Sequence, residues 1–172
     1  MRRQIVIVGT GGQGIILVAR MLAEAARREG IQVIAAETHG MAMRGGSVVC
    51  QVKLGDFASP LVLPGRADVL LGLDATEAER NRHYLGPEGV AVVHTTAPGK
   101  AGEVDALAIA RAIGSPKNLN VALLGYAAGL DVLGLPAQAV REAIVSLSPE
   151  NHRPANLAAF DQGGAAAGQR AS

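Results

Sequence analysis

Two stretches of this chain carry residue types at spacings that could do chemistry. The first is Gly9-Thr-Gly-Gly-Gln-Gly14. Glycine adopts backbone angles that other residues avoid, so Gly9, Gly11, Gly12 and Gly14 permit a tight turn. A turn of this kind that opens a helix presents bare backbone N–H groups and the positive end of the helix dipole, which is an anion site by construction. The spacing Gly9-x-Gly11-x-x-Gly14 matches the dinucleotide fingerprint, and Glu37 stands about where a ribose-binding acid belongs. Gln13 adds an amide beyond what packing requires. The second stretch runs from Thr38 to Ser47. In it His39 offers a proton donor or acceptor, Arg44 a planar fork that grips a carboxylate or phosphate, and Gly45 and Gly46 room for a ligand or backbone to come close. Each stretch also has a plainer reading, as a packing turn without ligand in which Arg44 binds carbonyls.

The other candidates have structural explanations. Asp74 reads as the cap of a helix in the box Asp74-Ala-Thr-Glu77, and Glu77, Glu79, Arg80 and Arg82 as a solvated helix face. Cys50 sits mid-strand, as a small hydrophobe would. His39, His83, His94 and His152 show no metal-ligand spacing. One cysteine excludes internal disulfides and any iron–sulfur cluster held by this chain alone.

The elements that must position the two stretches follow from hydrophobic periodicity. Ile5 to Val8 is a run of β-branched residues, expected of a central parallel strand. Ile15 to Arg28 predicts an amphipathic helix, with Gly30 ending it, and Ile31 to Glu37 a second strand. A dinucleotide fold then needs a crossover helix. Instead the ten residues from Thr38 to Ser47, with three glycines, lead at once into a strand over Val48 to Leu54. That length is marginal for a parallel crossover, so the second and third strands are predicted to pair antiparallel. Further strands are expected over Ala67 to Leu73 and Val90 to His94, and short helices from Asp74 through about Tyr84 and over Val104 to Ile113. A helix capped by Asn118 is expected to run to about Leu133, its Ala122, Gly125, Ala128 and Gly129 letting another helix or subunit approach closely. Pro136 opens a last helix over Ala137 to Leu147. The expected class is α/β: a single three-layer domain with a mixed, mostly parallel sheet, Rossmann-like at its start and interrupted after the second strand by an antiparallel strand. This domain is expected to span residues 1–160. Residues 161–172, rich in glycine and alanine, read as a disordered tail.

Composition agrees with a helix-and-sheet core and narrows the function. Apolar residues make up 49% of the 172, but aromatics only 2%, and 16 basic residues balance 15 acidic ones. Neither a basic face nor stacking aromatics point to nucleic acid. The chain has no run near the roughly 18 apolar residues of a membrane span. The amino terminus runs straight into the first strand, leaving no room for a signal peptide, so a cytoplasmic location is expected.

Taken together, Gly9-Thr-Gly-Gly-Gln-Gly14 and Glu37-Thr-His-Gly-Met-Ala-Met-Arg-Gly-Gly-Ser-Val48 resemble the gamma-type subunit of 2-oxoacid:ferredoxin oxidoreductases, the pyruvate/ketoisovalerate oxidoreductase gamma domain. The Gly-Met-Ala-x-Arg-Gly-Gly-Ser-Val form is most similar to the small (beta) subunit of indolepyruvate oxidoreductase. Ser59-Pro60-Leu61, Ala67-Asp68-Val69-Leu70, Glu77-Ala78-x-Arg80 and Leu123-Leu124-Gly125 fit as well, so the resemblance extends over roughly residues 4 to 150. One departure is Met43, where the indolepyruvate type has glutamine. The resemblance implies a complex that oxidatively decarboxylates a 2-oxoacid with coenzyme A to an acyl-CoA and carbon dioxide, passing electrons to ferredoxin. It implies that thiamine diphosphate and iron–sulfur clusters sit on partner subunits, and that this chain is inactive alone. Its expected work is to assemble the complex and shape the substrate or coenzyme A side of the site, with Gly9, Gly11, Gly12, Gln13, Gly14, Glu37, His39, Arg44, Gly45 and Gly46 meeting ligand or partner. The chain is expected to associate tightly with a larger partner or with itself as a homodimer, and two alternatives stand beside the assignment: a module that binds NAD or an adenine nucleotide, and a structural or regulatory protein without ligand.

Overall fold

The computed structural model describes residues 1–39 and 45–170. Strand β1 (Arg3–Thr10) enters the core at once, with Ile5 to Val8 fully buried. The turn Thr10–Gly14 leads into helix α1 (Ile15–Arg28). Gly30, at φ 68°, then ends α1: its N–H donates to Arg27 O and that of Ile31 to Ala26 O, the paired bonds of a Schellman motif. Strand β2 (Val33–His39) and strand β3 (Ser47–Leu54) follow, and β3 runs antiparallel to β2 as expected.

β3 does not stay at the rim. It inserts between β2 and β1, antiparallel to both, and pairs with β1 in unbroken register from Arg3↔Leu54 to Thr10↔Ser47. Strands β4 (Ala67–Gly72), β5 (Leu85–His94) and β6 (Glu103–Val104) add in parallel on the other side of β1, giving the order β2-β3-β1-β4-β5-β6. The mixed, mostly parallel α/β sheet is therefore present. Val104 belongs to β6, not to the helix expected from that residue, because it pairs with His94 and leaves Asp105 to cap the helix behind it.

Alternation along the strands sorts the helices onto two unequal layers. Ile5, Ile7, Cys50, Val52, Val69 and Leu71 face α1, helix α3 (Ala106–Ala112), helix α4 (Leu119–Gly129), helix α5 (Ala137–Leu147) and helix α6 (Arg153–Arg170). Val6, Val8 and Leu70 face the other way and meet helix α2 between Asp74 and Asn81 (Ala75–Arg80), the loop 55–66 and Tyr84. The third layer is thus thin. Helix α2 stops at Arg80, short of the expected Tyr84, and a 3-10 turn (Arg82–Tyr84) completes the stretch.

Helix α4 is buried along nearly its whole length, from Asn120 to Ala128, as a helix apolar all round should be. It ends at Gly129, ahead of the expected Leu133, where Asp131 takes a positive φ of 56°. Asn118 precedes it but does not cap it. Its side chain instead accepts from Ser115 Oγ (2.9 Å) and donates to Asn156 Oδ1.

The expected disordered tail is the main correction to the fold. Residues up to Arg170 form α6, which packs on the small-residue face of α4 and buries Ala159, Phe160 and Ala167. Gly125 and Gly163 let the two backbones touch. A methyl group at Gly163 would strike Ala122 O and lie 2.9 Å from Tyr126 N, and one at Gly125 would strike Phe160 O. The Gly/Ala composition that suggested disorder is the complement of α4. We predict that Gly163→Val destabilises the fold by about 1–3 kcal/mol through overpacking, whereas Gly168→Ala, which meets nothing within 4 Å, adds up to about 1 kcal/mol from helix propensity. Urea unfolding of the two variants reads both signs; a disordered tail would leave both at wild-type stability.

Candidate functional site

The carboxyl ends of β1 and β4 lie side by side, and the chain leaves them in opposite directions. From β1 it crosses through the glycine turn to α1 on one face; from β4 it crosses through Asp74 to α2 on the other. Such a divergence leaves a crevice outside the strand ends, where open α/β sheets bind ligands. β3 starts at this same end because it is antiparallel to β1, so Gly45, Gly46 and Ser47 join the rim. The Gly11 N–H donates to Gly46 O at 2.9 Å, tying the two sequence motifs together.

Within the crevice each side chain has a distinct task. Gln13 turns inward: its Oε1 accepts from Thr10 N–H (2.8 Å) and its Nε2 donates to Leu73 O (3.3 Å), bridging the ends of β1 and β4. Gly9 lies beneath this amide, and a methyl there would strike Gln13 Oε1 and sit 2.9 Å from Ile15 Cδ1. Both residues therefore build the turn. Gly12 and Gly14 take φ values of 95° and 79°, and no side chain caps α1 or places an acid in its first turn. The first N–H groups of α1 consequently face a recess of about 330 Å³ lined by Thr10, Gly11, Gly12, Ile16 and Val48. Helix α2, by contrast, is closed by Asp74 Oδ1, which accepts from Glu77 N–H at 2.9 Å as the capping box predicts. Of the two helix ends at the crevice, only that of α1 is open to an anion.

Glu77 departs from its expected solvated face. It is 4% exposed, accepts from Ser47 Oγ at 2.6 Å, and its other oxygen accepts from Arg80 Nη1 at 2.8 Å. Asn81 donates to Glu77 O at 2.8 Å. The carboxylate thereby fastens the start of β3, just beyond Gly45–Gly46, to α2. Asn120 of α4 closes the site from below, buried against Gly14 and donating to Gly14 O at 3.4 Å.

Glu37 is not brought to the glycine turn. It pairs with Cys50, which in turn pairs with Ile7, so β3 stands between it and β1, at a lateral distance of about 10 Å. In a dinucleotide unit these two strands are neighbours. Glu37 instead lines a separate trough of about 250 Å³ with Arg20, Ile16 and Cys50. Burial, and then the Glu37 carboxylate, push the Cys50 thiol up to about 11, which suits a packing residue and not a nucleophile. His39 ends β2 opposite Val48. Arg44 lies outside the described residues.

Among the described residues no group of three His, Cys, Asp or Glu could hold a metal ion. No helix of the described residues is long and apolar enough to cross a membrane.

A model of the pyruvate ferredoxin/flavodoxin oxidoreductase family matches residues 4–166. The chain belongs to that family. Among curated relatives, indolepyruvate oxidoreductase subunit IorB of Archaeoglobus fulgidus is 45% identical over 95 residues, 55% of this chain and 47% of that subunit. The IorB subunit of Methanothermobacter thermautotrophicus is 30% identical across 97% of this chain and 99% of its own length. The gamma subunit of a keto/oxoacid ferredoxin oxidoreductase from Geobacter sulfurreducens has the same fold, with a TM-score of 0.81 and 26% identity over 97% of this chain and 99% of that one. The likeness therefore includes α6, beyond the limit near residue 150 that the sequence motifs suggested.

For this member of the oxidoreductase family, sequence reasoning missed Ser47, the buried role of Glu77, and Asn120. Helix α2 has six residues, too few for periodicity to separate an inward glutamate from an outward one. Asn120 leaves no local signal at all. Ser47→Ala should lower stability by about 1–2 kcal/mol by leaving the buried carboxylate short of a donor, and should speed amide exchange at residues 45–47; exchange unchanged there would show that the loop is held by other contacts. In the folded chain at pH 8, Cys50 should react with iodoacetamide about 100-fold more slowly than after unfolding, because a thiolate two pH units further from its pKa is that much scarcer. Equal rates would place Cys50 at the surface.

Proposed function

We propose that this chain is the cluster-free small subunit of a 2-oxoacid:ferredoxin oxidoreductase complex. In this reading it holds the catalytic subunits together and supplies one wall of the coenzyme A side of the active site. The observation that carries the reading is the family match over residues 4–166, together with an open helix N-terminus at the divergence of β1 and β4. A chain with one buried cysteine cannot ligate a cluster. In this reading the clusters and thiamine diphosphate belong to partner subunits, which supply decarboxylation and electron transfer to ferredoxin when assembled. Four relatives carry the indolepyruvate name, so an aryl-substituted 2-oxoacid is the first substrate to assay.

What this chain contributes is binding and order. The N–H groups of the glycine turn and of the first turn of α1 receive an anionic group, and the phosphates of coenzyme A fit that chemistry. Gln13 keeps β1 and β4 at a set spacing so that these donors hold their direction. Gly45 and Gly46, tied to Gly11 and backed by Ser47 and Glu77, bring the end of the second motif to the same rim. The nucleotide-module alternative lacks its central requirement, because Glu37, the acid of the fingerprint, is separated from β1 by β3, and nothing in the comparisons supports it.

The complex purified from its host through this chain should contain a subunit with thiamine diphosphate and iron–sulfur clusters and should reduce ferredoxin in response to an aryl 2-oxoacid and coenzyme A. Gly12→Asp places a carboxylate at the open end of α1. It should raise KM for coenzyme A by about tenfold or more, from lost dipole and hydrogen-bond stabilisation and added repulsion, while the complex still assembles. An unchanged KM would remove the glycine turn from the coenzyme A site.

A further inference from the structure

The thin second layer of the sheet carries a surface whose chemistry is specific. Loop 55–66 crosses this face, and Gln51 Oε1, itself buried, accepts from Val62 N–H and pins the loop down with Val62 inward. In an extended segment neighbouring residues point to opposite sides. Leu61 and Leu63 are therefore obliged to face outward, and they are 55% and 65% exposed, with Met1 the most exposed large apolar side chains among the described residues. Pro60 and Pro64 bracket them and restrict the backbone, so little order remains to be lost when the segment is covered.

Beside this apolar ridge lies a group of cations. Arg2 sits 4.1 Å and the Lys53 ammonium 5.0 Å from the centre of the Phe57 ring, two like charges sharing one aromatic ring. The Arg66 backbone reaches the same end of the face, its carbonyl accepting from Gln4 Nε2, and Arg66 is exposed. Neither Arg2, Lys53 nor Arg66 forms an ion pair with a described residue. Asp68 is engaged by Gln4 N–H and lies 4.0 Å from Arg3. Lys53 is 6% exposed; burial, and then Arg2, hold its ammonium below the usual lysine range. A carboxylate arriving from outside would relieve both effects.

We propose that Leu61 and Leu63, flanked by Arg2, Lys53 and Arg66, form the surface on which this chain docks an acidic, apolar-centred face of its catalytic partner subunit. The inference rests on the subunit reading above. An apolar centre with a charged rim is the usual anatomy of such interfaces, and the layer missing from this side of the sheet is then supplied by the partner.

The test uses the full-length chain and the thiamine diphosphate-bearing subunit that co-purifies with it, with affinity measured by interferometry at low and high salt. The double variant Leu61→Asp/Leu63→Asp should bind at least about tenfold more weakly. Arg2→Glu/Arg66→Glu should bind about threefold to tenfold more weakly and lose most of its salt dependence. Circular dichroism should match wild type for both, since the four side chains are at the surface. Wild-type affinity in both variants would overturn the surface. A loss confined to the leucine variant would overturn its acidic partner chemistry. Failure of the wild-type chain to bind any thiamine-bearing subunit would overturn the subunit reading, and this inference with it.

Discussion

Strand β1 is paired along both of its edges, antiparallel to β3 and parallel to β4, and the rest of the molecule depends on that double pairing. On the β3 side it brings the Gly45–Ser47 segment against the glycine turn. On the β4 side it sets two strand ends next to each other whose following helices leave on opposite faces. The crevice at their ends exists because neither helix can cover it. Gln13 spans the gap with one amide and satisfies backbone groups on both sides, which keeps the crevice narrow at its floor and leaves its mouth at Gly12 and the start of α1.

The buried polar groups of the site are satisfied by chemistry from distant parts of the chain. Glu77 would be costly inside the protein if unpaired. It is tolerated because Ser47 and Arg80 donate to it. Asn120 reaches Gly14 from a helix otherwise apolar all round. Each of these bonds joins the rim to a different layer, so the loop geometry is inherited from the core.

The two faces of the sheet are unlike in depth. One carries five helices, with α4 enclosed between the sheet and α6; the other carries a short helix and a loop. The buried face needs no partner, and its glycine contacts use the closeness of two backbones where large side chains would not fit. The thin face ends in leucines and in cations that form no ion pair with a described residue.

Local pattern alone determined the first strand, the glycine turn, the amphipathic α1 and its glycine stop, because run length, 3.6-residue periodicity and backbone preference act over a few residues. It also determined the antiparallel turn from β2 to β3, since ten residues leave too little chain for a parallel crossover. The resemblance carried by Gly9 to Gly14 and Glu37 to Val48 identified the family ahead of any coordinates. Tertiary structure decided the rest. That β3 would intrude between β1 and β2, and so carry Glu37 away from the turn, depends on which edge of β1 is free. That Gln13 points inward depends on the position of Leu73, sixty residues on. And whether Gly163 to Ala167 is tail or helix depends on a complementary stripe at Ala122 to Gly129, because small residues gain packing only where a second backbone comes close enough to touch.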